Sequence, residues 1–258
     1  MKIIKTVLCA TLLALAYPSM AIEIHTPHCI AGCPAGVEQS NDLIVRDSYT
    51  ISSNDRTKFT DWAAYKVTSK TIGSGCKRNW KPDPELTDRE TLEPSDYKGA
   101  NAAIGIDRGH QVPLASFCGT SRWYELNYLS NITPQKSALN QNSWKHLEEK
   151  VRTLAKKGNE VYVLTGPLYE RKMPALPGTD EPHKLPSGYW KVIALVKGKS
   201  IQTASFIFDQ DTPKKADFCK FRASASEVEK RSKLDLFPSI TVKTKLLDGK
   251  LEKAFCRK

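Results

Sequence analysis

The sequence predicts an α+β fold with a mainly antiparallel central sheet flanked by helices. Three observations predict it. Strand-like segments come in separate groups rather than alternating regularly with helices, which argues against a doubly wound parallel sheet. One long amphipathic helix stands out over Leu139–Lys157, with Leu139, Trp144, Leu147, Val151 and Leu154 on one side. No Ser/Gly linker, low-complexity tract or internal repeat divides the chain, so residues 22–258 read as a single domain.

The elements follow in order. Residues 1–21 have the pattern of an export signal. Lys2 and Lys5 give a positive start, Val7–Ala16 is apolar apart from Cys9 and Thr11, and Ser19 and Ala21 are small residues spaced for cleavage after Ala21. The run is shorter than the roughly 20 apolar residues that cross a bilayer core. The expected product is therefore periplasmic or extracellular, with no membrane partner. His25 and His28 fall in a mature N-terminus expected to be mobile. Leu43–Ser52 and Trp62–Thr68 alternate like strands. Cys76–Ala100 carries Pro82, Pro84 and Pro94 and many charges, so it should be a long surface excursion of the kind that often carries function. Ser121–Leu129 suggests a short helix. Val161–Thr165, Tyr189–Val196 and Ala204–Phe208 read as strands. Ser224 with Glu227 resembles a capping box for a helix running towards Lys233.

Charge narrows the choice of partner. Without Lys2 and Lys5, the 39 basic residues fall to 37 against 28 acidic ones, a net charge of +9. Such an excess attracts polyanions: nucleic acid, anionic lipid or acidic glycans. Of the 7 cysteines, six survive cleavage, Cys29, Cys33, Cys76, Cys118, Cys219 and Cys256. An even number in an exported chain points to disulfides, although six cysteines allow 15 pairings. Zinc is a poor alternative, because the single C-x3-C spacing has no second ligand pair.

A basic exported protein directs attention to phosphoryl chemistry. The candidate constellation is Asp107-Arg108-Gly109-His110, followed by Asn131, Asn140 and Glu148. Neutral imidazole accepts a proton near physiological pH, so His110 can serve as a general base. Gly109 allows a tight turn or a close backbone approach. The amide oxygen of Asn140 is a hard donor suited to magnesium, although an Asn at a helix start is more often a cap. Positions 140, 144 and 148 fall on one helical face, so Glu148 could hold water beside an ion held by Asn140. Arg78 and Arg108 offer paired donors to phosphate oxygens. Each residue alone has an ordinary structural reading: a core histidine, a cap, a solvated helix face, a surface salt bridge.

Together the motifs are specific. Asp107-Arg108-Gly109-His110-Gln111-Val112-Pro113-Leu114-Ala115-Ser116 resembles the active-site segment of the DNA/RNA non-specific endonucleases. Asn127-Tyr128-Leu129-Ser130-Asn131-Ile132-Thr133-Pro134-Gln135-Lys136-Ser137 and Leu139-Asn140-Gln141 are similar to that family's metal-binding stretch. Arg78-Asn79-Trp80-Lys81 and Thr165-Gly166-Pro167-Leu168-Tyr169-Glu170 also match. The resemblance runs from about Arg78 to Arg222. It implies a ββα-metal (His-Me finger) fold, in which a strand delivers His110 and a helix delivers Asn140 to one Mg2+, with Mn2+ as a substitute. It further implies His110 as general base, Asn140 as direct ligand, Glu148 on metal-bound water, Arg78 and Arg108 on phosphate, Asn131 as support and Asp107 as structural. Expected substrates are single- and double-stranded DNA and RNA, cut to 5′-phosphate products, by a chain that could be a homodimer. The resemblance also suggests Cys29–Cys33 and Cys219–Cys256 bridges. Cys76 and Cys118 lie outside the family pattern and are expected to form a third, pinning the excursion near the site. Two other classes compete: a secreted polyanion-binding protein without catalysis, and a phosphodiesterase or phosphatase for small substrates.

Overall fold

The computed structural model describes residues 23–241 and 244–256. The expected signal segment lies outside them. The first strands are β1 (Asp42–Val45), β2 (Tyr49–Asn54) and β3 (Phe59–Val67). The single strand expected over Leu43–Ser52 is in fact two. Arg46–Tyr49 makes the turn, and the Arg46 N–H donates to the Tyr49 carbonyl at 2.8 Å. The three consecutive polar residues Arg46-Asp47-Ser48 mark this turn, and reading the segment as one alternating strand passes over them. His28 is not mobile either. It is buried, with Nδ1 2.9 Å from Thr50 Oγ1 and Nε2 3.1 Å from the Asp47 carbonyl.

The excursion after β3 leads through a 3₁₀ turn, Pro94–Tyr97, to α1 (Ala100–Ile104) and β4 (Ile106–His110). The short helix expected over Ser121–Leu129 is a 3₁₀ turn at Trp123–Asn127. β5 (Ile132–Lys136) pairs antiparallel with β4, placing Gly109 opposite Thr133 and His110 opposite Ile132. The long helix enters through a π turn, Leu139–Trp144, and continues as α2 (Lys145–Lys156). Single π turns inside helices recur at functional sites. Then come β6 (Val161–Leu168), β7 (Gly188–Lys197), β8 (Ser200–Asp209), the two-residue β9 (Arg222–Ala223), α3 (Ala225–Ser232), β10 (Lys245–Leu247) and α4 (Glu252–Phe255). The Ser224 hydroxyl accepts from the Glu227 N–H at 3.0 Å, so the expected cap is present.

The main sheet runs β1-β2-β3-β6-β7-β8-β10, with β9 on β8. All its pairs are antiparallel except β8–β10. Successive strand residues face opposite sides. Tyr65, Tyr189, Ile193 and Phe206 therefore pack with Trp144, Leu147 and Val151 of the long helix. Their neighbours Trp62, Ala64, Trp190 and Val192 pack with Ala225 and Val228 of α3. A third cluster, including Tyr97, Ile106, Leu129 and Ile132, seats the excursion on the β4–β5 pair. Burying each large side chain contributes about 1.5–3 kcal/mol, so this packing fixes the β4–β5 pair and long helix as a rigid unit. Among the described residues no helix is long and apolar enough to cross a membrane.

Candidate active site

Three disulfides link described residues: Cys29–Cys33, Cys76–Cys118 and Cys219–Cys256. The middle one ties the root of the excursion to the segment just after His110. Gly73 and Gly119 pack back to back beside it, where a Cβ on Gly73 would come within 2.5 Å of the Gly119 nitrogen. Farther along, Arg46 pairs with Asp83, which also accepts from the Ser130 hydroxyl. Two anchors thus hold the excursion against the β4–β5 pair.

The excursion, β4 and the long helix enclose an open cleft of about 640 Å³. Arg78, Arg108, His110, Asn140 and Glu148 all line it. Asp107 does too, with Trp80, Tyr97, Asn101, Gln141, Lys145 and Arg152. Residues 62 positions apart in sequence or more, such as Arg78 and Asn140, therefore meet in one place.

His110 ends β4. Gly109 before it is required by close approach, since a Cβ there would meet Gln135 atoms at 2.8 Å. His110 Nε2 lies 3.4 Å from Asn127 Oδ1, and Asn127 Nδ2 donates to the Lys77 carbonyl at 3.0 Å. This chain of bonds turns the Asn127 oxygen towards the ring, so Nε2 carries the proton and Nδ1 is left as the basic nitrogen. The ring also packs against Trp80, centroids 5.2 Å apart. Burial pushes the imidazole pKa down to about 4, the Asn127 bond opposes this, and nearby Arg78 adds to it. His110 is therefore neutral throughout the physiological range, the form a base requires.

Asn140 is not a helix cap. It lies within the π turn, and its Nδ2 donates to Asp107 Oδ2 at 2.9 Å. Asp107 also accepts from Asn101 at 2.8 Å, Ser137 at 2.7 Å and Gln141 at 2.8 Å. Burial raises its pKa, but these four donors, Asn140 foremost, outweigh it and hold the carboxylate below its ordinary value. With its nitrogen committed to Asp107, Asn140 presents its amide oxygen as the unused donor atom.

Glu148 stands two turns further on, half-buried. Burial pushes its pKa up to about 7, against the attraction of Lys191 and Arg152 and the dipole of the Trp144 indole. Arg108 makes no salt bridge with Asp107. Its Nη2 donates to the Pro94 carbonyl at 2.7 Å, and its guanidinium lies 5.7 Å from the Trp80 and 5.2 Å from the Tyr97 ring centres. Its buried Nε has no partner. Arg78 is exposed at the cleft mouth.

Asn131, grouped with the catalytic residues from sequence, is fully buried and does not line the cleft. Its side chain bonds Val112 N and O at 2.8 and 3.0 Å and the Leu126 carbonyl at 2.9 Å. It ties the segment after His110 to the turn before β5. Sequence reasoning missed Asn127, Trp80, Tyr97 and Arg152. Arg152 carried a signal in its four-residue spacing from Glu148 on one helix, and Trp80 and Asn127 lie within the matched motifs without having been assigned a role; Tyr97 carried none. A separate acidic group, Asp42, Asp55 and Glu90, could hold a metal ion but does not line the cleft.

Comparison with known proteins agrees with this geometry. The DNA/RNA non-specific endonuclease family matches residues 25–242. A nuclease of Serratia marcescens is 52% identical over 216 residues, covering 83% of this chain and 81% of that protein. Nuclease C1 of Cunninghamella echinulata is 31% identical over 227 residues, 80% of this chain and 86% of that protein. Among solved structures, the EndoG/EndoGI complex contains a chain of the same fold, with a TM-score of 0.68 at 23% identity, covering 81% of this chain and 91% of that one. A paired strand and helix bringing imidazole, carboxamide and guanidinium groups to one cleft, together with a family match over residues 25–242 and 52% identity to a nuclease over 216 residues, leave one conclusion: the chain belongs to the DNA/RNA non-specific endonucleases and is an enzyme of that kind.

Proposed function

We propose that this endonuclease is exported after cleavage behind Ala21, works as one catalytic domain over residues 22–258, and hydrolyses single- and double-stranded DNA and RNA with Mg2+ to leave 5′-phosphate ends. The observation that carries the reading is the Asn140 amide, turned by Asp107 so that its oxygen faces the cleft that His110 also lines.

The donor set fits a hard divalent cation. Asn140 offers a neutral oxygen and Glu148 a carboxylate, while no soft ligand lines the cleft. Asn140 would hold the ion directly and Glu148 would accept from water beside it. When bound, the cation supplies positive charge to the phosphoryl group and the leaving oxygen. His110 takes the proton of the attacking water at Nδ1, while Asn127 keeps the ring oriented. Arg78 and Arg108 engage the non-bridging phosphate oxygens, and the stacking of Arg108 between Trp80 and Tyr97 fixes its approach. These groups address phosphate, water or metal rather than base edges. Backbone contacts carry no direct sequence code, so cleavage is sequence-tolerant. Export and any homodimer rest on the sequence pattern and family likeness; signal processing by mass spectrometry and sedimentation in solution test them.

The decisive assay incubates plasmid DNA and RNA with Mg2+, with EDTA, and with the His110→Ala variant. The expected result is cutting of both polymers by the wild type with Mg2+ only. Binding without cutting would favour a polyanion-binding protein instead.

A further inference from the structure

Lys191 is the most unusual residue near the cleft, and no step above uses it. It sits in the middle of β7, in a run of apolar residues, and is completely buried. Alternation along the strand puts it with Tyr189 and Ile193, on the face covered by the long helix. Its ammonium has one hydrogen bond among the described residues, to the Tyr65 hydroxyl of β3 at 3.0 Å. It lies 4.2 Å from the centre of the Trp144 ring. Trp144 is one helical turn before Glu148, so the buried ammonium packs against the ring that precedes the carboxylate on that helix face.

An isolated buried ammonium is expensive, and such groups are normally paired. The described residues give Lys191 no direct ion pair. Its carboxylate neighbour by charge is Glu148, on the same helix as the Trp144 ring against which Lys191 packs. Burial lowers the Lys191 pKa to about 8, and Glu148 is what opposes that fall. On the other side, the groups that act on Glu148 are Lys191 from β7, and Arg152, Glu149 and the Trp144 indole from its own helix. Tyr65, whose phenol burial keeps protonated, completes the set from β3. Arg152 is half-exposed and screened by solvent; Lys191 is not.

We propose that Lys191 is a positioning residue: a buried counter-charge beneath the cleft, packed on the Trp144 indole, that favours the ionised form of Glu148 against the effect of its burial. A direct ion pair would consume the carboxylate oxygens. A cation behind an aromatic ring attracts the charge and leaves both oxygens open towards the cleft. The catalytic consequence rests on the role proposed for Glu148; the electrostatic coupling does not.

The test is reciprocal titration in the metal-free protein by ¹³C NMR of side-chain carboxyl and Lys Cε resonances, with Glu148→Gln and Lys191→Met. Glu148 should titrate at higher pH in Lys191→Met, by about one unit or more, as expected for loss of an opposite charge at close range. Lys191 should titrate at lower pH in Glu148→Gln. The second variant changes a cleft side chain and keeps the test open if Lys191→Met does not fold. An unchanged Lys191 midpoint in Glu148→Gln overturns the proposal. In cleavage assays the acid limb of kcat should move upward in Lys191→Met and be restored in Lys191→Arg. A uniform loss at every pH, with no shift, also counts against it. Because the titrations need no substrate or metal, they can succeed even if the nuclease reading of Glu148 fails.

Discussion

The anchor beneath the excursion and the cleft it leads into treat polar groups in opposite ways. At the anchor, the buried Asp83 is saturated: one oxygen takes the Arg46 guanidinium and the other the Ser130 hydroxyl. Arg46 reaches Glu85 as well, at 2.8 Å. In the cleft, capacity is left over. Asn140 keeps its oxygen, His110 keeps a lone pair and Glu148 has no direct ion pair among the described residues. Asp107 stands between the two regimes, saturated by four donors so that Asn140 need not be. The lesson lies in the acceptors: both oxygens of the structural carboxylate Asp83 are occupied, whereas the amide oxygen of Asn140 is held in place with no partner among the described residues.

Variants should separate the two regions. The largest effect is expected from His110→Ala, which should lower kcat by about 10²- to 10⁴-fold while barely moving the urea midpoint. If turnover stays near normal, His110 is not the base. Asp83→Ala should do the converse. Removing one partner of a buried pair costs about 3–5 kcal/mol, seen as a lower urea midpoint. A mild effect on stability would place Asp83 outside the anchor role. Asp107→Asn keeps the shape but weakens the acceptor that orients Asn140, and cation affinity should fall by about 10- to 100-fold, measured by calorimetry.

Smaller, but diagnostic, is the pH profile. His110 is neutral above about 4 and Glu148 becomes ionised above about 7 in the metal-free protein. Activity should therefore fall as pH drops through the Glu148 transition, well before His110 protonates. Bound cation draws that transition lower. In Glu148→Gln the remaining activity should lose this limb. A limb that survives the substitution belongs to another group.

How far the sequence could be read follows from the same contrast. The long helix was legible from its apolar spacing, whereas the strand delivering His110 and the roles of His110, Asn140 and Glu148 were legible only through the resemblance of their motifs to a family, since each residue alone has an ordinary structural reading. The disulfide between Cys76 and Cys118 was expected once the family resemblance had suggested partners for the other four cysteines. Other parts depended on the folded chain. The turn at Arg46–Tyr49 had a local mark, the polar run Arg46-Asp47-Ser48, but its closure depends on the pairing of β1 with β2. His28 gains its place from Thr50 and Asp47, some 20 residues away, and nothing local marks it. Asn131 was expected to support the site because it sits in the motif, and what the folded chain adds is how: its side chain bonds the backbone of Val112 and Leu126. Lys191 did leave a trace, a charge in the otherwise apolar run Tyr189–Val196. Its meaning required knowing that the long helix covers that face.

The most direct measurement is a Mn2+ titration followed by electron paramagnetic resonance on the wild type, Asn140→Ala, and a variant carrying Asp42→Asn, Asp55→Asn and Glu90→Gln together. Saturable binding should vanish in Asn140→Ala and persist in the triple variant. Binding that survives loss of the Asn140 carboxamide, or that disappears with the three acidic groups, would contradict the placement of the cation in this cleft.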